Sequence, residues 1–312
     1  MKRFNKNYWA LILGGSSGFG LATAKKLAKQ GMNLLVVHRD RRGAMARIEK
    51  NFDEIRGNDI EFLNLNLNAL TEEGRQKTLT QLKEKMGTEG KVRLLLHSIA
   101  FGNLKPIAPI NKESSAQIAV SKLAEKLGVT SERVDQAVES LLEEGIAPLH
   151  TLHTQTYGEA LLGEEDMEQT IYSMGSSLLS WVQDLHHHKM FASDARVLGL
   201  TSEGNQVAWR GYAAVAAAKV AIESISRSIA VEFAPYGIRS NIIQPGVTPT
   251  PALKLIPGSE QMESVAKLRN PYKRTTTPED VANFIALMCT DEASWVNGSI
   301  IRVDGGEHIA PQ

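Results

Sequence analysis

Short apolar runs and longer amphipathic stretches alternate along this chain of 312 residues. Runs of about four to eight apolar residues are typical of buried strands, and apolar residues that recur every three or four positions are typical of helices. Strands that alternate with helices predict a parallel sheet covered by helices on both faces. We therefore predict an α/β fold, a Rossmann-like doubly wound parallel sheet of about seven strands. The predicted strands are 8–13, 33–38, 62–67, 92–96, 196–200, 239–243 and 299–303.

One segment, residues 105–162, interrupts this alternation because it contains no apparent strand. Within it, residues 110–145 predict two amphipathic helices that are joined at Gly128, with Ser131 as the cap of the second. The second helix is rich in glutamate, which would repel DNA phosphates, so a DNA-binding helix-turn-helix is disfavoured. We expect a helical insertion after the fourth strand, within one Rossmann-like domain that spans residues 1–312. We expect this insertion to serve as a cap or an oligomer contact.

Three later segments complete the predicted elements. Residues 164–189 predict one long helix with a serine-rich centre, and residues 278–289 predict a last helix. Residues 250–272 are polar, contain prolines and lack strong periodicity, which predicts a mobile segment at the strand ends, where ligands bind in such sheets. The three consecutive histidines 186–188 predict no metal site, because neighbouring side chains diverge by about 100° on a helix.

Composition and charge exclude several classes of protein. Lysine plus arginine equals aspartate plus glutamate, at 35 each, which argues against a nucleic-acid or acidic-membrane partner. The single cysteine, Cys289, allows no internal disulfide and favours a reducing compartment. The N-terminus has no apolar run typical of a signal peptide, and no stretch approaches the ~20 apolar residues of a membrane span. We expect a soluble, cytoplasmic protein.

A glycine-rich turn follows the first predicted strand and precedes a helix. Its sequence, G-G-S-S-G-F-G, runs from Gly14 to Gly20. Glycines allow a tight turn and a close approach of the backbone to a pyrophosphate, which binds free N–H groups at the helix N-terminus. The flanking strand and helix favour a dinucleotide site, and a plain strand–turn–helix whose glycines serve packing is the alternative.

Charged residues follow the second predicted strand, at the position where a dinucleotide fold meets the adenosine ribose. An arginine there favours a 2′-phosphate, whereas a carboxylate favours a 2′-hydroxyl. Arg39 precedes Asp40, so we predict NADPH, with NADH as the alternative cofactor. An ordinary charged surface turn is the other interpretation of this cluster. Asn66, at the end of the third strand, stands where its side chain could reach the adenine.

One tyrosine and one lysine, Tyr212 and Lys219, lie seven positions apart in an alanine-rich stretch, G-Y-A-A-V-A-A-A-K. On a helix this spacing is close to two turns, so both side chains would point the same way, about 10 Å apart along the axis. An ammonium near a phenol favours the phenolate and lowers the cost of giving up its proton. The pair is therefore a candidate proton donor with an electrostatic partner.

These motifs together resemble the short-chain dehydrogenase/reductase family. The resemblance covers almost the whole chain except the insertion, and it also includes H-S-I-A, P-G-V-T-P-T, P-E-D-V-A and V-D-G-G. The family usually has Tyr-x3-Lys, whereas this chain has Tyr-x6-Lys together with H-S-I-A-F from His97 to Phe101. Both features are similar to the enoyl-acyl-carrier-protein reductase branch of fatty-acid synthesis.

The resemblance implies a role for each matching residue. Tyr212 would contact the substrate carbonyl, Lys219 would hydrogen-bond the nicotinamide ribose, and Arg39 would bind the 2′-phosphate. Ser202 is a third catalytic candidate, at the position where the enoyl-reductase branch usually has a second tyrosine. The serine that carbonyl-reducing members place before the tyrosine would fall near residues 198–200, where none is found. The other implied cofactor-binding residues are Gly14, Ser16, Ser17, Gly18, Phe19, Gly20, Asn66, Leu67, Ser98, Ile99, Ala100, Gly246, Val247, Thr248 and Thr250.

The resemblance implies an NADPH-dependent reductase that acts on the 2,3 double bond of an enoyl thioester. The substrate would be a small-molecule acyl thioester, carried on acyl carrier protein or coenzyme A. A carbonyl or 3-oxoacyl reductase of the same family is the alternative. An interpretation of another class is a cofactor-binding module that has lost its chemistry and binds partners through the inserted helices. The family also implies a homotetramer or homodimer.

Overall fold

The computed structural model describes residues 3–109, 114–153 and 157–310. Its centre is one sheet of seven parallel strands in the order β3-β2-β1-β4-β5-β6-β7, which confirms the predicted fold class. The strand order reverses between β1 and β4, and ligands of such sheets bind at this point, beyond the carboxyl ends of the strands. The strands are β1 (Tyr8–Leu13), β2 (Asn33–His38), β3 (Phe62–Asn66), β4 (Lys91–His97), β5 (Phe191–Leu200), β6 (Ile238–Pro245) and β7 (Ile300–Val303).

Helices cover both faces of the sheet. Within the ranges described, none of them combines the length and the apolar composition needed to cross a bilayer. The α-helices are α1 (Gly18–Lys29), α2 (Met45–Arg56), α3 (Glu72–Met86), α4 (Ser115–Leu127), α5 (Ser131–Glu143), α6 (Glu164–Ile171), α7 (Ser177–His187), α8 (Ala213–Glu232), α9 (Ser259–Arg269) and α10 (Pro278–Met288).

Alternate residues of the central strands enter two separate cores. Leu11 and Leu13 of β1 pack with apolar residues of α3, α7 and α8, whereas Ala10 and Ile12 pack with those of α1, α2 and α10. A parallel strand that is buried on both faces is apolar throughout, and for this reason β1 and β2 are readable from the sequence. β5 begins at Phe191, five residues before its predicted start. The prediction began too late because Asp194 and its neighbours interrupt the apolar pattern.

The long helix predicted before β5 is present as α6 and α7, joined by a π-helical turn at Tyr172–Ser176. The hydroxyl of Ser173 donates to the backbone oxygen of Phe101, which connects this turn to the segment after β4. A Cβ at position Gly175 would lie 2.9 Å from the backbone oxygen of Ala218, so glycine allows α8 to pack closely here. The π turn therefore lies against two segments that reach the sheet's carboxyl edge.

The insertion contains the two predicted helices, α4 and α5, joined at Gly128 in the left-handed conformation that ends many helices. The predicted cap of α5 is wrong by one residue, because Thr130 has the extended N-cap conformation and Ser131 is already helical. Residues 110–113, where the prediction begins, lie outside the described residues. The two helices bury a small core of their own, formed by Val120, Ala124, Val134, Val138 and Leu142.

Residues 250–272 are more regular than the sequence predicts. They contain a 3₁₀ turn at Leu253–Leu255 and the helix α9. Only Met262, Ser264 and Ala266 of α9 are buried, so its sequence carries a weak amphipathic pattern. Contacts with α5 and with the 3₁₀ turn stabilise it instead.

Candidate active site

A cavity of about 620 Å³ lies beyond the carboxyl ends of the strands on both sides of the β1–β4 switch point. Its wall contains all but two of the predicted catalytic and cofactor-binding residues. Those on the wall are Gly14, Ser16, Ser17, Gly18, Phe19, Arg39, Leu67, Ser98, Ile99, Ala100, Ser202, Tyr212, Lys219, Gly246, Val247, Thr248 and Thr250. Gly20 and Asn66 are the exceptions.

The glycine turn has the shape of an anion cradle. Gly14 has φ +83°, and a Cβ there would lie 2.5 Å from the backbone oxygen of Ser98. Gly18 begins α1 with φ +52°, and a Cβ there would lie 3.4 Å from Cγ2 of Thr250. The N-cap residue Ser17 makes no capping hydrogen bond with its side chain, so the first N–H groups of α1 remain available to a phosphate. These features fit a diphosphate.

Two predicted cofactor contacts differ in the structure. A Cβ on Gly20 would lie 2.2 Å from the backbone oxygen of Gly14, so this glycine allows α1 to pack on the turn and does not face the cavity. The side chain of Asn66 is hydrogen-bonded to the backbone N–H and oxygen of Asp40, both at 3.1 Å. Because both ends of its amide are engaged, Asn66 fixes the end of β2, and Leu67 and Asn68 form the cavity wall instead.

Arg39 and Asp40 have different surroundings at the end of β2. The guanidinium of Arg39 is exposed and stacks 4.4 Å above the ring of Phe101. The carboxylate of Asp40 lies 2.9 Å from Nδ1 of His38, a residue that is buried. The arginine is thus presented to the cavity while the carboxylate is engaged by its neighbour.

Tyr212 is the N-cap of α8 and precedes its first helical residue, which corrects the prediction that it lies within the helix. Its hydroxyl oxygen lies 3.3 Å from Oγ of Ser202. Burial raises the pKa of Tyr212 above its ordinary value, and the hydrogen bond with Ser202 opposes this effect. The sequence predicted that Lys219 would lower the pKa of Tyr212, but burial is the dominant effect on this pKa. The phenol is a protonated donor with a hydroxyl neighbour.

Lys219 is buried at 8% exposure, and its ammonium donates to the backbone oxygen of Leu200 at 2.9 Å. Burial lowers the pKa of Lys219 to about 8, and the charge of Glu223 opposes the shift. His97, at the end of β4, is also buried, and its burial together with the charge of Lys219 lowers the pKa of His97 to about 3. His97 is therefore neutral, with Nε2 2.9 Å from Oγ of Ser177. A neutral neighbour leaves Lys219 as the cation at this position.

The structure adds three charged residues that the sequence analysis did not select. Glu203, Arg269 and Glu307 all line the cavity, and Arg269 forms an ion pair with each of the two glutamates. Arg269 lies in α9, which was not predicted, and Glu307 directly follows the V-D-G-G motif. The V-D-G-G motif was the one sequence signal near any of the three residues. No sequence spacing relates positions 203, 269 and 307 to one another. Among the described residues, no group of three or more histidine, cysteine, aspartate or glutamate side chains could hold a metal ion.

Two family models match this chain. A family model described as enoyl-(acyl carrier protein) reductase matches residues 117–308, and one described as short chain dehydrogenase matches residues 8–125. The chain belongs to the short-chain dehydrogenase/reductase family. This is a family of oxidoreductases that bind NAD or NADP.

Individual relatives differ in how much of the chain they match. A probable 2,4-dienoyl-CoA reductase of Bacillus subtilis is 25% identical over 309 residues, 96% of each chain. Levodione reductase of Leifsonia aquatica is 25% identical over 315 residues, 96% of this chain and 94% of that protein. Protein FixR of Bradyrhizobium diazoefficiens is 34% identical over 119 residues, 38% of this chain. That alignment spans 41% of FixR, and the one with a Caenorhabditis elegans 2,4-dienoyl-CoA reductase spans 31% of that relative.

Solved structures share the fold. An enoyl-(acyl-carrier-protein) reductase of Anaplasma phagocytophilum, in complex with NAD, has a TM-score of 0.69 at 14% identity and covers 100% of this chain and 97% of its own. A 3-ketoacyl-(acyl-carrier-protein) reductase of Brucella melitensis, complexed with NADH, has a TM-score of 0.67 at 21% identity, with 97% and 98% covered. At these identities the likeness shows the fold alone.

Proposed function

We propose that this protein is an NADPH-dependent reductase of the 2,3 double bond of an enoyl thioester. The observation that carries the proposal is the position of the Tyr212 hydroxyl and the Lys219 ammonium on the wall of the same cavity as the glycine turn. The full-length relative named as a dienoyl-CoA reductase and the family model named for enoyl reduction support this substrate class. Tyr212 also belongs to an apolar cluster with Met174 and Val215, which suits an acyl chain better than a sugar.

The residues present would hold a nicotinamide dinucleotide along the carboxyl edge of the sheet. The N-terminus of α1 and the glycine turn would bind the diphosphate. Lys219 would bind the nicotinamide ribose, and the backbone around Gly246, Thr248 and Thr250 would bind the carboxamide and a phosphate. When bound, the reduced cofactor supplies a hydride to the β-carbon of the substrate.

Reduction places negative charge on the thioester oxygen as an enolate forms. A phenol O–H directed at this oxygen stabilises the charge, as an oxyanion donor does. Ser202 can accept the phenol's hydrogen bond in the absence of substrate and reorient it when substrate binds. Burial and the Ser202 hydroxyl set the pKa of the phenol, so the Lys219 charge would serve the cofactor ribose and not the phenol. The α-carbon of the enolate then takes a proton from solvent, which completes the reduction.

NADPH is preferred in this proposal because Arg39 is exposed on the cavity wall while Asp40 is engaged by His38. A guanidinium can bind a 2′-phosphate bidentately. Fluorescence titration of NADPH and NADH on the wild type and on Arg39→Ala tests this preference. We expect the substitution to weaken NADPH binding and to leave NADH binding unchanged; equal losses for both cofactors would contradict it.

Carbonyl reduction is the second candidate, and one observation favours it. Two hydroxyl groups, those of Ser202 and Tyr212, lie side by side and could both donate to one alkoxide oxygen. The full-length relative named levodione reductase is consistent with this reaction. In that case Tyr212 would give its proton directly to the alkoxide.

A paired assay separates the candidates. Oxidation of NADPH and NADH is followed at the nicotinamide absorbance with crotonyl and acetoacetyl thioesters, each as the coenzyme A and the acyl-carrier-protein form. Turnover of the crotonyl thioesters supports the proposal, and turnover of the acetoacetyl thioesters alone supports carbonyl reduction. Tight cofactor binding with no turnover of either would favour a non-catalytic module that binds partners through α4 and α5.

Two further properties belong to the proposal. We propose a cytoplasmic enzyme that forms a homotetramer or homodimer. α8 exposes Val220 and Val231 on its outer surface, which is compatible with contact to a second copy. Light scattering coupled to gel filtration measures the oligomeric state, and a monomer at micromolar concentration would contradict it.

A further inference from the structure

We propose that Arg269 is a positioning residue that holds α9 against the Ser202–Tyr212 pair and thereby sets the affinity for substrate. The inference rests on the proposed function to the extent that substrate binds beside Tyr212. It concerns a residue outside the glycine turn, the tyrosine and the lysine.

The guanidinium of Arg269 is the centre of a buried ion-pair cluster. Nη1 and Nη2 donate to the two carboxylate oxygens of Glu203, at 2.8 and 2.7 Å. Nη2 also donates to Oε1 of Glu307 at 3.1 Å. Such a paired contact fixes direction as well as distance, because the planar fork of an arginine matches a carboxylate in one orientation.

Glu203 connects this cluster to the reacting groups. It directly follows Ser202, whose hydroxyl contacts the Tyr212 phenol. The next residue, Gly204, lies against the Tyr212 ring so closely that a Cβ would be 2.4 Å from Cε1. Displacement of Glu203 therefore moves the turn that holds both hydroxyl groups in place.

The same guanidinium reaches two further parts of the cavity wall. Arg269 is the last residue of α9, which contributes Met262, Val265 and Ala266 to the wall. Glu307 also accepts a hydrogen bond from the backbone N–H of Val247, at 3.2 Å, on the segment after β6. Arg269 and Glu307 together thus link the turn after β5, the segment after β6, α9 and the 3₁₀ turn Glu307–Ile309.

Arg269 is the one cation among these three side chains, and it compensates both carboxylates only in part. The side chains of Arg269, Glu203 and Glu307 are 9%, 18% and 3% exposed. Burial raises the pKa of Glu307, and the Val247 N–H and Arg269 oppose that shift. Loss of the guanidinium would leave two poorly solvated carboxylates side by side, and such a pair separates or rearranges.

The insertion holds α9 from its other side. The amide of Gln261, near the start of α9, donates to the backbone oxygen of His150 at 3.0 Å. α5 also packs on α9. These contacts hold α9 against the insertion. Its position relative to Tyr212 then depends on the Arg269 cluster.

The test compares Arg269→Met with Arg274→Met. Arg274 also makes a two-point ion pair, with Asp280 at 2.6 and 3.1 Å, but its side chain is 56% exposed and the pair lies outside the cavity wall. We expect Arg269→Met to raise KM for the acyl substrate at least about tenfold and to change the NADPH Kd less than about threefold. Arg274→Met should leave both within about twofold. A merely structural role would lower the melting temperature and leave KM of the folded enzyme unchanged.

Two measurements keep the test decisive. Arg269→Lys keeps the positive charge but loses the two-point contact of the planar guanidinium, so its KM should be intermediate. This variant replaces Arg269→Met in the test if the methionine variant does not fold. Hydrogen exchange of residues 259–269 should be faster in Arg269→Met than in Arg274→Met and needs no substrate. Absence of turnover in the wild type would overturn the proposed function alone. A folded Arg269 variant with wild-type exchange and wild-type KM would overturn the role of Arg269.

Discussion

Ser202 and Tyr212 stand ten residues apart, and the structure places their oxygens 3.3 Å from each other. The sequence has no serine at residues 198–200, and Ser202 stands where the enoyl-reductase branch usually has a tyrosine. The turn after β5 brings it to the phenol because Gly204 allows the chain to pass directly over the ring. The position of one hydroxyl thus depends on a glycine two residues later.

Tyr212→Phe removes the donor and keeps the ring. Because the hydroxyl is expected to act on charge that forms only during the reaction, kcat should fall about 10²- to 10⁴-fold. The NADPH Kd should stay within about twofold, since the ring and its apolar neighbours are unchanged. Steady-state kinetics and fluorescence titration measure the two effects. A kcat within about threefold of wild type would exclude the phenol as the donor.

Lys219 predicts a pH dependence. Its pKa is lowered to about 8, so the ammonium is lost as the pH rises through that value, whereas Tyr212 stays protonated because its own pKa is raised. We expect kcat/KM to be level at about pH 6–7 and to fall about tenfold per pH unit above about 8. The profile is recorded up to about pH 10. Lys219→Met should show a low rate without this descending limb, and a wild-type profile that stays level would be inconsistent with the charge of Lys219.

At the scale of secondary-structure elements, β1, the glycine turn and α1 form one unit. Gly14 adopts positive φ and lies under the backbone of Ser98, so the turn also fixes the end of β4. α1 begins with free N–H groups only because this turn is tight. Cofactor binding and local packing therefore depend on the same glycine.

Gly14→Ala tests this unit. The added methyl would lie 2.5 Å from the Ser98 oxygen and would hold an L-residue at φ +83°, which together should cost about 1–3 kcal/mol of stability. NADPH binding should weaken more than tenfold, or about 1.4 kcal/mol, because the turn must widen. Gly43→Ala is the matched control, since a Cβ there meets nothing within 4 Å. Calorimetry and fluorescence titration measure both variants; equal effects at the two glycines would contradict the prediction.

The amino ends of the strands carry a second charged cluster, on the edge of the sheet opposite to the cavity. Asp194 forms ion pairs with Arg93, Arg196 and Arg239, which lie on β4, β5 and β6. Arg93 and Arg196 are buried, so this carboxylate compensates charges that water does not reach. Stability and chemistry thus occupy opposite edges of one sheet.

Asp194→Asn should lower the free energy of unfolding by about 2 kcal/mol, and the melting temperature by a few degrees, without a change in kcat. Burial raises the pKa of Asp194, but Arg196 and Arg93 outweigh it and keep the pKa below its ordinary value. This stabilisation is present above about pH 4 and is lost as the pH falls through the lowered pKa. Asp53→Asn, which removes a partner of exposed Arg56, should have little effect. Thermal unfolding at neutral and acidic pH measures both; equal losses would contradict this assignment.

Much of the fold was predictable because apolar patterns reflect burial on the sheet. β1 and β2 match their predicted bounds, and the glycine turn has the predicted strand and helix on either side. α9 was missed because contacts with distant segments stabilise it, and single-chain periodicity does not report such contacts. The Arg269 cluster was missed for the same reason, since its three residues come from positions 203, 269 and 307. The hydrogen bonds of the Asn66 side chain to the Asp40 backbone were not predictable, because backbone partners have no sequence signature.

The π turn between α6 and α7 has a consequence for how this chain tolerates length changes. A π turn holds one residue more than an α-helical path between the same ends. Deletion of a single residue there would let the helix close regularly while α6 and α7 keep their orientations. Thr170, whose hydroxyl accepts the Asn103 N–H, would then keep its contact with the segment after β4. Ser173, inside the turn, would lose the position from which its hydroxyl donates to the backbone oxygen of Phe101. A one-residue shortening is therefore compatible with both helices, and its cost falls on the contact between the turn and the segment after β4.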